Sequence, residues 1–156
     1  THCVSDCGIR GREIRFYQNV NKSRISGIEL AANATVLEHL VLDANYSYTK
    51  AVNAETDEPL SNRPKHKANI SAGWQFADGG IVRMRAELYG KQDDGAGETL
   101  PSYSLVHADF VVPLSAGIRL RGGIENLFNE RLAEKSELFP FAEPGRQYRF
   151  GFAMSF

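Results

Sequence analysis

The last ten residues, 147–156, alternate without a break. Tyr148, Phe150, Phe152, Met154 and Phe156 are large and apolar, whereas Gln147, Arg149, Gly151, Ala153 and Ser155 are polar or small. A period of two is that of a β-strand with one greasy and one wet face, and no helix segregates side chains this way. In a soluble sheet the greasy row needs a core to cover it. Four aromatics and a Met in one row suit equally a strand that faces hydrocarbon.

Composition does not decide between the two. The 156 residues are 42% hydrophobic and 24% charged, with a net charge of -1. No run approaches the roughly 18 consecutive apolar residues of a transmembrane helix, but membrane β-strands hide from average hydropathy because only alternate residues are apolar. The 18 basic and 19 acidic residues are interspersed, which argues against nucleic acid as a partner. The start at Thr1, with no initiator Met and no leader, reads as an internal position of a longer chain. Both cysteines, Cys3 and Cys7, fall in the first seven residues. A lone Cys-x-x-x-Cys is a poor zinc site, since a structural zinc wants four ligands. A short loop disulfide in an oxidising compartment is the better reading, with free thiols the alternative.

The alternation recurs along the chain. After a strand-like run over 13–19, it predicts strands over 24–35, 40–50, 66–76, 81–91, 103–113, 118–128 and the terminal stretch. Ile28, Leu30, Ala32 and Ala34 share a face, as do Leu42, Ala44, Tyr46 and Tyr48, and Ala68, Ile70, Ala72 and Trp74. The run 81–91 is diagnostic: Val82, Met84, Ala86 and Leu88 oppose Arg83, Arg85, Glu87 and Tyr89. Three ionisable groups in one row make an awkward inner face for a sandwich and an ordinary one for a hydrated lumen. His107 and Asp109, then Arg119, Arg121 and Glu125, continue that wet row, read as paired groups lining the interior. Pro113 is expected to close its strand.

Connections alternate in length, short near 36–39, 77–80 and 114–117, long over 51–65, 92–101 and 129–146. Short turns on one side and long loops on the other are the layout of outer-membrane barrels, and Trp74, Phe76, Tyr46, Tyr48, Tyr148 and Phe150 are expected near strand ends as interfacial girdles. The count is about seven strands, including the partial one before Asn21. Single-chain bacterial barrels have an even number of at least eight, so the remaining strands are expected from elsewhere in the same protein or another copy.

Gly123-Ile124-Glu125-Asn126-Leu127-Phe128-Asn129 and Glu143-Pro144-Gly145-Arg146, followed by ten residues ending in Phe, resemble the closing segment of TonB-dependent outer-membrane receptors. Tyr17 to Glu29 is similar to an earlier strand of the ferric-siderophore and cobalamin receptors. The resemblance implies an all-β, antiparallel up-and-down transmembrane β-barrel of 22 strands, of which residues 1–156 are the C-terminal portion. The plug domain and the energy-coupling TonB box, N-terminal in that family, are absent from this sequence. The implied activity is import of a ferric siderophore across the bacterial outer membrane. TonB would act through the missing N-terminal region, alongside lipid and the remainder of the barrel as partners. No enzymatic activity, cofactor or metal is expected. A cobalamin or haem receptor, a passive barrel and a soluble β-rich binding module are the alternatives.

Candidate residues follow. Phe156, Met154, Phe152 and Phe150 form the barrel-assembly signal of the resemblance, against the plainer reading of an amphipathic strand. Lys50, Tyr89, Lys91, Tyr103 and Arg146 fall near the mouth by strand direction, where basic and aromatic groups would attract anionic chelates. Pro144-Gly145 reads as turn chemistry. His107, Asp109 and Ser102 or Ser104 do not make a hydrolase triad, because same-strand neighbours point in parallel without converging. Asp93-Asp94-Gly95 falls short of a calcium cage. Asn33, Asn45 and Asn69 match the glycosylation pattern but lie within strands and carry no assigned role.

Overall fold

The computed structural model describes residues 22–94, 97–115, 117–139 and 144–154. Their elements are β1 (Ser23–Val36), β2 (Leu40–Asn53), β3 (His66–Gln75), β4 (Ile81–Tyr89), β5 (Gln92–Asp93), β6 (Thr99–Leu100), β7 (Tyr103–Ser115), β8 (Ile118–Glu125), α1 (Leu132–Lys135) and β9 (Gln147–Met154). Seven strands form one sheet in the order β1-β2-β3-β4-β7-β8-β9, every neighbouring pair antiparallel, and β5-β6 is a separate two-stranded hairpin. All seven lie after Asn21. The predicted run over 13–19, Cys3, Cys7 and Phe156 lie outside the described residues.

Register turns the alternation of each strand into two continuous faces. One rung runs Leu30, Tyr46, Ala68, Leu88 and Ser104, and another Leu40, Trp74, Val82, Phe110, Gly122 and Phe150. Between them, Asn33, Asp43, Ser71, Arg85 and His107 form a rung whose side chains point to the opposite face. A one-residue slip anywhere would put charges into the apolar face, so the pattern fixes the register.

The apolar face is bare. Ile28 and Leu30 are each 62% exposed, Phe150 73% and Phe152 64%, and Phe110 and Ile124, in the same face, are only half-buried. The buried cluster of Leu100, Leu132 and Phe139 lies in the loops and covers none of it. Apolar surface of this extent marks contact with lipid or a partner. No helix among the described residues is long and apolar enough to cross a membrane, which bears only on helices.

The alternation of short turns and long loops is as expected, so the loops over 54–65, 90–102 and 126–146 share one end of the sheet. At one short turn Gly79 adopts φ 85°, and its neighbour Gly80 donates its N–H to the Asp78 carboxylate at 3.0 Å. Four expectations are corrected. Pro113 does not close its strand: β7 continues to Ser115 through a register shift between Pro113 and Ser115, a bulge that tolerates a residue without N–H. The strand expected over 118–128 stops at Glu125 because Asn126 enters the left-handed region at φ 51°. β2 runs three residues beyond Lys50, where Val52 bridges Pro59. Tyr46 and Phe150 sit mid-strand rather than at a girdle, whereas Trp74 and Tyr148 do lie near strand ends.

Candidate ligand-binding site at the long-loop end

The polar face carries an ion-pair network. Arg83 Nη1 lies 4.0 Å from Asp109 Oδ2, and Arg85 reaches Glu87 Oε1 and Glu125 Oε2, each at 3.7 Å. Glu125 also pairs with Arg149 and with His107, whose Nε2 is 3.8 Å from Glu87 Oε1. Between side chains about a quarter or more exposed such pairs are weak, about 0–1 kcal/mol, while His107 is buried. Linked across β4, β7, β8 and β9 they hold four strands to one charge pattern. Arg119 and Arg121, expected to be paired, meet no carboxylate among the described residues. His107 turns to Glu87 and Glu125, while Asp109 turns to Arg83 and Ser104 belongs to the apolar face, so no triad assembles.

Towards the loops the polar face becomes aromatic. The rings of Tyr89 and Tyr103 stack with centroids 4.6 Å apart, Lys67 Nζ stands 5.0 Å from the Tyr89 centroid, and Phe139 meets Tyr103 edge-on at 5.6 Å. Phe139 belongs to the loop cluster with Leu100 and Leu132, both fully buried. Loop 126–146 is thus packed onto loop 90–102, and Tyr103 joins that packing to the strand wall.

A cavity of about 410 Å³ opens beside it, between loop 54–65 and the β5-β6 hairpin. Lys50, Arg63, Lys65 and Lys91 line it against two carboxylates, Asp57 and Asp93. The backbone N–H of Asn62 donates to the Asp93 carbonyl at 2.8 Å, tying loop to hairpin. The structure therefore brings Lys50 and Lys91 into one cavity and Tyr89 and Tyr103 into one stack. Arg146 stands apart, five strands from β2, its N–H held by Asn129 Oδ1 at 3.0 Å. Arg63, Lys65 and Lys67 escaped the sequence reading, although the spacing Arg63-Pro64-Lys65-His66-Lys67 at a strand entrance was a visible basic cluster.

The Asn-Leu-Phe-Asn motif has a structural task. Asn126 is 3% exposed, and its Nδ2 donates to the carbonyls of Glu130 at 2.8 Å and Pro144 at 3.0 Å while Oδ1 accepts from the Glu130 N–H at 2.8 Å. With Asn129 on Arg146, both asparagines, in left-handed conformation, pin the return of loop 126–146 to β9. Met154, Phe152 and Phe150 form the exposed apolar row of β9, each more than 60% exposed. No group of three or more His, Cys, Asp or Glu fit to hold a metal ion is found among the described residues.

Residues 3–127 match the family described as TonB dependent receptor-like, beta-barrel. The ferric enterobactin receptor PirA of Pseudomonas aeruginosa is 25% identical over 163 residues, covering 94% of this chain and 22% of that protein. The ferrienterobactin receptor of Escherichia coli is 27% identical over 135 residues, covering 78% and 18%. The chain spans about a fifth of the length of these curated relatives. Among solved structures, a mutant of the ferric enterobactin receptor PfeA from Pseudomonas aeruginosa, in complex with enterobactin, superposes with a TM-score of 0.74 at 25% identity, covering 88% of this chain and 23% of that one. The copper transporter OprC superposes at 0.71 with 19% identity, covering 86% and 24%, a likeness of fold alone. An antiparallel sheet with one lipid-ready face, long loops at one end and a match over most of its length make this chain a member of the TonB-dependent receptor-like β-barrel family of the bacterial outer membrane.

Proposed function

We propose that this chain forms the C-terminal wall and part of the mouth of a receptor that imports a ferric siderophore across the outer membrane. The two sheet edges, β1 and β9, would be paired by further strands of a 22-stranded barrel, because unpaired backbone groups in lipid cost several kcal/mol each. A plug and a TonB-contacting segment would come from other parts of the protein. The polar face would line the lumen.

The observation that carries the reading is the mouth. Lys50, Arg63, Lys65 and Lys91 outnumber the two carboxylates of their cavity, and the Tyr89–Tyr103 stack stands nearby on the wall. An anionic, aromatic iron chelate would be drawn by the charge and held by the rings. The relatives named as ferric enterobactin receptors support that ligand class. Arg146 stands too far off to share this cavity and would act, if at all, from another part of the rim.

The test is binding of ferric enterobactin to the full-length receptor, followed by quenching of intrinsic fluorescence. Arg63→Glu with Lys65→Glu is expected to weaken binding at least tenfold, and more at low ionic strength than at high. Unchanged affinity in that pair, or binding of cobalamin or haem instead, overturns the reading.

A further inference from the structure

His107 is only 8% exposed, on the polar face of β7, and its two ring nitrogens are placed unequally. Nδ1 meets the Glu125 carboxylate, which only accepts, so Nδ1 carries the proton of the neutral ring; the Asn126 N–H reaches the same atom only at 3.4 Å. Nε2 keeps its lone pair. Among the described residues it is the buried side-chain nitrogen or oxygen with no hydrogen-bond partner, where buried polar atoms are nearly always paired. The group it faces is Glu87 Oε1 at 3.8 Å, about 1 Å beyond a charge-assisted hydrogen bond. Lone pair and carboxylate are both acceptors, so a proton alone can join them.

Glu87 links this ring to the mouth. While Oε1 faces His107 and Arg85, Oε2 accepts from the Tyr89 hydroxyl at 2.8 Å. Tyr89 in turn stacks on Tyr103 with centroids 4.6 Å apart and lies under the Lys67 ammonium. Leu105, 6% exposed, stands opposite Glu87 and between Tyr103 and His107 along β7, which keeps the path from water. The charged groups that face His107 among the described residues are Arg85 and Glu87 from β4 and Glu125 from β8, with Arg149 of β9 behind Glu125. Asp109, next in the row on β7, turns to Arg83. With the ring neutral, the two glutamates balance the two arginines; an added proton leaves one positive charge in excess, beside Glu87.

We propose that a proton taken up from lumenal water at His107 Nε2 draws Glu87 inward and off the Tyr89 hydroxyl, which makes His107 a pH-dependent positioning residue for the Tyr89–Tyr103 stack. One short side chain holds both contacts, so a movement of about 1 Å that closes the first stretches the second out of hydrogen-bond range. Imidazole suits the task, as its charge changes between about pH 5 and about pH 8. The proposal rests on the siderophore reading only in giving the stack a ligand.

The test is fluorine NMR of the ligand-free, full-length receptor in detergent, with 3-fluorotyrosine in place of Tyr89. Its resonance is expected to move as the pH falls from about 8 to about 5, and to stay fixed in His107→Gln and in Glu87→Gln, with the heat-modifiable gel mobility of a folded barrel as the check on both. His66, the other histidine near Tyr89, lies on the apolar face with its Nδ1 2.7 Å from the Tyr46 hydroxyl, so His66→Gln should leave the movement intact. A resonance that ignores pH, a movement that survives His107→Gln, or one that vanishes in His66→Gln overturns the proposal. Ferric enterobactin affinity gives the second readout. From about pH 8 to about pH 6 it should fall about two- to tenfold more in the native receptor than in His107→Gln, the worth of one hydrogen bond, and equal pH profiles overturn the link to the ligand. A receptor that binds no ferric enterobactin at either pH refutes the siderophore reading and leaves the fluorine result to decide this one.

Discussion

Replacing Asn126 by Ala removes three hydrogen bonds at once from a residue that is 3% exposed. Each is worth about 0.5–1.5 kcal/mol net, and the buried partners on Glu130 and Pro144 are left unsatisfied. Asn126 also sits at φ 51°, where Asn is tolerated and Ala costs about 1 kcal/mol more. The local opening of loop 126–146 should therefore become easier by about 3–5 kcal/mol. Hydrogen exchange on the full-length receptor reads this directly at the Glu130 amide, bonded to Asn126 Oδ1, and at the Arg146 amide, bonded to Asn129. Exchange at both should rise at least a hundredfold, since each 1.4 kcal/mol is a factor of ten. Asn126→Gly relieves the backbone cost and not the lost bonds, so it should recover about tenfold at most. If Asn126→Ala leaves both amides protected, or if Gly restores full protection, the side-chain bonds are not what holds the loop.

Three further outcomes follow from the packing. Gly122→Val should block correct assembly, because a Cβ there would lie 2.6 Å from the Phe110 ring that covers this glycine, and gel mobility of the folded barrel reports it. Phe139→Ala opens the cluster with Leu100 and Leu132 and should lower local loop stability by about 2–4 kcal/mol, seen as faster proteolysis within 126–146. Glu125→Gln leaves Arg85, Arg149 and the buried His107 without their shared carboxylate, yet both arginines are part-exposed and Gln keeps an acceptor oxygen for His107, so global unfolding in urea should shift by only about 1 kcal/mol and less in high salt.

The sheet was legible because the physics of a two-sided strand repeats every second residue. Ile28, Leu30, Met84 and Phe152 could stand in one face only if their strands paired in register, and length contrasts between turns fixed which ends carry the loops. Elements too short to show a period were missed: the β5-β6 hairpin has two residues a side, and α1 has four. The end of β8 was missed because it is set by the left-handed turn at Asn126, a residue whose side-chain partners lie up to 18 positions away. The mouth was half legible. Tyr89 and Tyr103 end paired strands, so their stacking follows from register, whereas Arg63 and Lys65 join Lys50 and Lys91 only through the fold of two loops. Lys50 itself continues the apolar row of Tyr46 and Tyr48, which strand direction alone does not reveal.

The central claim is that the apolar face meets lipid and the charged face meets water. Spin labels at Ile70→Cys, Met84→Cys and Leu120→Cys, and at Ser71→Cys, Arg85→Cys and Arg121→Cys, test it in the full-length receptor in bilayers, with Cys3→Ser and Cys7→Ser as background. Collision with oxygen should dominate at the first three and collision with a water-soluble nickel chelate at the second three, alternating residue by residue along each strand. The reverse pattern, or water access at both sets, contradicts the account.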